Sequence, residues 1–207
     1  MYFEPNLRIS FYPKRTTERR GIMHTKKTFT TYFIVQTGVM AALVFVITYF
    51  RIPLFGSKIH FANAMCLLAG LLFGPLSGGL ASGIGSFLYD IIGGYDLIQC
   101  LITFISKFIM AWLCAKIAYS NGANAEHKIK NIAASVIGAL SYVVLYMLKT
   151  FFYQKFVYGL QLDATYAVML AKLPASLINA VAAMIVTPII FVLIAPAIKK
   201  LRATSSL

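Results

Sequence analysis

The sequence predicts an all-α membrane protein, a compact bundle of six transmembrane helices with both termini cytoplasmic. Three observations lead there. The chain of 207 residues is 59% hydrophobic with a mean hydropathy of +0.78. Only 12% of it is charged, against about 25% in an ordinary soluble domain. Its cations also gather at the two ends. Arg8, Lys14, Arg15, Arg19, Arg20, Lys26 and Lys27 precede the first apolar run, and Lys199, Lys200 and Arg202 follow the last. Positive residues flank cytoplasmic ends, so an even number of spans follows. The net charge of +13 therefore reports membrane topology, and no nucleic-acid partner is expected.

The elements follow in order. Residues 1–27 read as a basic, disordered cytoplasmic segment, within which Met23 is an alternative start; residues 28–207 form the membrane domain. The first helix is expected over Tyr32–Phe50, closed by Arg51 and Pro53. It is too long for the apolar core of a signal peptide and has no A-x-A-like exit. A short second helix covers Phe61–Phe73, broken by Gly74-Pro75. The third runs Pro75–Ile92, with proline at a helix start where its missing N–H costs nothing. After a Gly93–Asp96 turn, the fourth covers Leu97–Tyr119, and a polar loop follows over Ser120–Lys130. The fifth covers Ile132–Phe152 and the sixth Leu173–Ala197, kinked at Pro188 and Pro196. From a cytoplasmic start, the loops at 51–60, 93–96 and 153–172 lie outside.

The stretch Gly74–Asp90 is apolar, yet small residues recur in it every four positions, at Gly74, Gly78, Ser82 and Ser86 and again at Gly79 and Gly83. Lipid supplies no hydrophobic force between helices, so close contact of small residues must hold them together. The stretch ends on Tyr89-Asp90, an aromatic and an acid near the membrane boundary.

Polar groups inside spans cost free energy and mark function by default. Lys107 sits near the middle of the fourth helix; an internal partner such as Asp90 is one reading and a ligand is another. Lys149 continues the face of Tyr142 and Tyr146 towards Tyr153, a Tyr-Tyr-Lys-Tyr stripe. Lys172, Ser176 and Asn179 share one face of the sixth helix, and Asn63 opens the second. His60 reads as a solvated loop histidine. The candidate binding residues are thus Asn63, Tyr89, Asp90, Lys107, Tyr146, Lys149, Lys172, Ser176 and Asn179, gathered mostly in the outer third. Aromatic walls with a few hydrogen-bonding groups suit a small planar polar ligand.

Other classes are disfavoured. Cys66, Cys100 and Cys114 lie in apolar runs without metal-ligand spacing and read as packing residues, so no metal or cofactor is expected. No HExxH, GxSxG or in-span histidine offers an enzyme its base. The inner half carries no in-span carboxylate for a proton or sodium site. A structural scaffold for envelope assembly would explain the small residues but not Lys107, Lys149 and Asp90.

The run Leu68–Gly79, continued by Gly85–Asp90, Phe104–Phe108 and Lys172–Ala180, resembles the substrate-binding S components of energy-coupling factor (ECF) transporters across about residues 30–200. Within that family the chain looks most like the branch for hydroxymethylpyrimidine or pyridoxine-type vitamins, with riboflavin or thiamine as alternatives. The resemblance implies a membrane-embedded subunit of a vitamin importer in the bacterial plasma membrane. Its partners would be a transmembrane coupling subunit and two cytoplasmic ATPases. It further implies that the subunit topples in the membrane to release its ligand. A small-xxx-small motif on the first helix packs on the coupling subunit in the family; Gly38 and Ala42 match it here, with glycine in place of one alanine. The chain has no GxxxxGK[ST] phosphate loop, which fits an external energy source.

Overall fold

The structure, a computed structural model, describes residues 31–54 and 57–204. The basic segment expected over residues 1–27 lies outside the described residues. Helix α1 (Thr31–Tyr49) leads into a two-stranded antiparallel hairpin of β1 (Arg51–Leu54) and β2 (Ser57–His60). Then come α2 (Ala62–Ile92), α3 (Leu97–Ala118), a 3-10 turn (Ser120–Gly122), α4 (Lys128–Phe152), a π-helical turn (Tyr153–Val157) and α5 (Leu162–Thr204). Five of these helices are long and apolar enough to cross a membrane.

Helix α2 is folded back on itself at Gly74. That residue has φ 81° and ψ −177°, a conformation that side chains disfavour and glycine accepts. In an unbroken helix Cys66 and Ser82 would lie roughly 24 Å apart. Instead the Ser82 hydroxyl donates to the Cys66 carbonyl at 3.2 Å. A Cβ on Gly78 would stand 2.5 Å from the Gly70 Cα. The expected second and third helices are therefore the two arms of one helical hairpin, and the four-residue spacing of small residues is what lets the arms touch.

Proline and its surroundings explain the turn. In a regular helix the N–H of residue 75 would bond the carbonyl of Leu71, but Pro75 has none. Tyr119, at the end of α3, replaces it: its hydroxyl donates to the Leu71 carbonyl at 3.0 Å and lies 3.4 Å from that of Leu72. Freed backbone carbonyls are costly in lipid, so this one side chain stabilises the whole turn.

The hairpin is the centre of the bundle. Its arms carry half of the largest fully buried side chains among the described residues, including Leu67, Leu71, Cys66, Ser77 and Ser82. Helix α1 lies against it through Thr37, Met40, Ala41, Val44 and Thr48, with Thr37 and Ser77 hydroxyls 2.8 Å apart. Helix α5 is tied on by Thr187, whose hydroxyl donates to the Ala64 carbonyl at 3.2 Å. The three cysteines are free and buried, and act as small packing groups. Outward faces are aliphatic, with Leu193 73% and Leu170 67% exposed, as lipid-facing positions require.

Two expectations need correction. The last helix begins at Leu162 and not at Leu173, so Lys172 lies inside it and the outer loop shrinks. Polar Gln161, Asp163 and Thr165 hide this first part from a hydropathy reading. It is held by a fully buried Thr165 and by Tyr166, whose ring lies 6.4 Å from Phe151. The segment 51–60, read as a loop, is a β-hairpin whose register pairs Arg51 with His60.

Candidate functional site

The β-hairpin, the Gly93–Asp96 turn and the π turn all lie at one end of the bundle, opposite the Gly74 turn. Between them opens a cavity of about 560 Å³, within the size range of small-molecule sites. All nine residues singled out from the sequence line it: Asn63, Tyr89 and Asp90 from α2, Lys107 from α3, Tyr146 and Lys149 from α4, and Lys172, Ser176 and Asn179 from α5. Another hollow, about 720 Å³ between the start of α4 and the end of α5, is walled by aliphatic residues such as Ile132, Ile189 and Val192.

The floor is built around Lys107. Only 4% exposed, its ammonium donates to the Asn63 carboxamide oxygen and sits 3.8 Å from the centre of the Tyr142 ring. A buried cation needs such partners, and here an amide dipole and an aromatic face provide them. The partner weighed for Lys107, Asp90, lies further off and acts on it only through its field. Tyr142 and Tyr146 stack along α4 with centroids 6.1 Å apart and planes 27° from parallel. One turn on, Lys149 donates to the Thr103 hydroxyl at 2.7 Å. The Tyr-Tyr-Lys-Tyr stripe is thus one wall, ending at buried Tyr153, whose hydroxyl donates to Asp96 at 2.8 Å.

Asp96 caps α3 by accepting from the Gln99 amide at 2.9 Å. That bond, with the one from Tyr153, holds its carboxyl below the usual range. The opposite rim is the β-hairpin. Arg51 donates to the Tyr89 hydroxyl, and Lys58 donates to the Tyr95 hydroxyl at 2.6 Å while lying 5.9 Å from the Tyr89 ring centre. Asn179 is spent on the same hairpin: its Oδ1 accepts from the His60 amide at 2.9 Å and its Nδ2 donates to the Lys58 carbonyl at 2.7 Å.

His60 corrects the reading of a solvated loop histidine. It lines the cavity from β2, and its Nδ1 is buried without a partner. Burial, helped by the charge of Lys107, pushes its pKa down to about 3, so the ring is neutral. Ser86 was also missed: it lies one helical turn before Asp90, is 3% exposed, and its hydroxyl makes no well-formed hydrogen bond, with only the Cys66 thiol beside it. Its place in the small-residue series masked it, because a serine there reads as a packing residue. Among the described residues no group of His, Cys, Asp and Glu could hold a metal ion.

The sequence model described as ECF-type riboflavin transporter, S component, matches residues 28–196. The chain belongs to the ECF transporter S-component family. A solved structure titled as the S component of a bacterial ECF transporter shares the fold. Its TM-score is 0.59 at 17% identity, over 81% of this chain and 98% of the other. An uncharacterised protein of Pyrococcus woesei is 33% identical over 101 residues, 47% of this chain and 63% of that relative. This S component therefore spans less than two thirds of that curated relative. S components are multi-pass membrane subunits that bind substrate and work with a membrane coupling subunit and ATPases; they are not enzymes. On α1 of this S component, Gly38 and Ala42 are exposed, and a Cβ on Gly38 would meet nothing within 4 Å.

Proposed function

We propose that this chain captures a planar heteroaromatic vitamin from outside the cell and hands it to an ECF coupling module. One observation carries the reading: the scarce charged and amide groups of an otherwise apolar bundle converge with stacked tyrosines on a single cavity. Such a site offers ring stacking along Tyr142 and Tyr146 and hydrogen bonds from lysines at its edge. The hydroxymethylpyrimidine or pyridoxine-type ligand and riboflavin, the vitamin named in the family description, are both of this class.

The cation-rich termini favour an orientation with both ends in the cytoplasm, six crossings when the arms of α2 are counted separately, and the cavity outside. The open Gly38–Ala42 face of α1 is the surface proposed to meet the coupling subunit, where the missing side chain permits close backbone approach. Delivery inward then draws on partner ATPases, and the aliphatic outer faces suit reorientation within lipid.

Calorimetry on the full chain in detergent tests this with riboflavin, thiamine, hydroxymethylpyrimidine and the pyridoxine vitamers. Saturable binding of one of them supports the proposal. Absence of heat from all of them overturns the vitamin assignment.

A further inference from the structure

The cavity is unbalanced in charge. Four lysines line it, Lys58, Lys107, Lys149 and Lys172, against two carboxylates, Asp90 and Asp96. Of these, Asp96 is engaged as the cap of α3 and by Tyr153. Asp90 remains to face Lys149, Lys107 and Lys58, and its carboxylate is also engaged by the Thr103 hydroxyl. Three of the lysines donate to neutral oxygens, on Tyr95, Asn63 and Thr103. Positive charge held in a wall of low dielectric is costly until a counter-charge arrives. Ser86 adds an independent sign, a buried hydroxyl on the cavity lining with no well-formed hydrogen bond and only the weakly accepting Cys66 thiol beside it, able to donate to an incoming oxygen.

From these two observations we infer that the ligand carries an oxyanion, a carboxylate or phosphate, on its ring system, held by the cavity lysines and Ser86. The inference rests on the cavity being the vitamin site and narrows the class of vitamin. An oxyanion supplies the missing negative charge, and hydrogen bonds to it are stronger than those to a neutral carbonyl. A neutral ring would leave the excess charge uncompensated.

The experiment compares matched pairs on the full chain in detergent at neutral pH: riboflavin with its 5′-phosphate, pyridoxal with its 5′-phosphate, and nicotinamide with nicotinate. In the pair that binds, the anionic member is expected to bind about tenfold more tightly, the worth of one charged hydrogen bond. Lys172→Gln and Ser86→Ala, less disruptive than changes at Lys107, are each expected to reduce that preference by about threefold or more. The two pairs bearing phosphate and the one bearing carboxylate tell the two oxyanions apart. Equal or tighter binding of the neutral member, or a preference unmoved in both variants, overturns the inference alone. Failure of all six compounds overturns the inference; failure of thiamine, hydroxymethylpyrimidine and the remaining pyridoxine vitamers as well overturns the vitamin assignment on which it stands.

Discussion

Asn179 on α5 holds the backbone of His60 on β2 at 2.9 Å through its side-chain oxygen, and its nitrogen reaches the Lys58 carbonyl at 2.7 Å. One carboxamide thereby completes the strand as another strand would, and it fastens the rim of the cavity to the last helix. Two such bonds stabilise the rim by about 1–3 kcal/mol together. Asn179→Ala is therefore expected to raise the ligand off-rate by about tenfold while leaving the on-rate nearly unchanged. Stopped-flow fluorescence on the Tyr-rich site measures both. An unaltered off-rate would show that the rim does not retain ligand.

Lys107 and Asn63 form a second couple. Removing the acceptor leaves a buried ammonium with only the Tyr142 ring, so Asn63→Leu is expected to destabilise by about 1–3 kcal/mol. Adding Lys107→Met should recover much of that loss, because an apolar pair of similar shape leaves no orphaned charge. Thermal melting of the single and double variants reads this coupling. Additive losses would contradict it.

Close packing at the α2 hairpin gives a third expectation. Gly78→Ala drives a methyl group into the backbone at Gly70 and is expected to cost about 1–3 kcal/mol by overpacking. Gly38→Ala faces open space and should be neutral in the isolated chain. Gly38→Leu should likewise leave ligand affinity intact yet abolish co-purification with the coupling subunit, if that face is the docking surface. Retained co-purification would move the interface elsewhere.

His60 predicts a pH dependence with a definite sign. Its folded pKa is lowered from 6.5 to about 3, so the unfolded chain takes up a proton first as pH falls. The stability it confers is complete above about 6.5 and is lost progressively towards pH 3. His60→Gln, which cannot titrate, should flatten the difference in melting temperature between pH 7 and pH 4. Parallel curves for the two proteins would mean the ring is accessible to protons when folded.

Much of this was legible in the residues, for a physical reason. An amide or ammonium inside an apolar run is conspicuous because lipid tolerates it only with a purpose, and so Asn63, Lys107, Lys149 and Asn179 stood out. Gly74-Pro75 announced the turn because few other pairs both accept a positive φ and lack an N–H. The rim was harder. Arg51–His60 is too short and polar for a periodic signal, and its pairing depends on Asn179, more than a hundred positions away. The start of α5 was hidden by the polar residues Gln161, Asp163 and Thr165, of which the structure buries Thr165 alone. Ser86 escaped because a small hydroxyl serves packing and recognition equally well.

The foldback at Gly74 has a consequence for biogenesis. Every contact between the arms joins positions close along the chain, Gly70 with Gly78 and Cys66 with Ser82, so their assembly requires little loop closure. The arms bearing Asn63, Ser86 and Asp90 can therefore meet ahead of the later helices, of which α3 brings Tyr119 to complete the turn. Those arrive against a preformed template and add their lysines to it one after another.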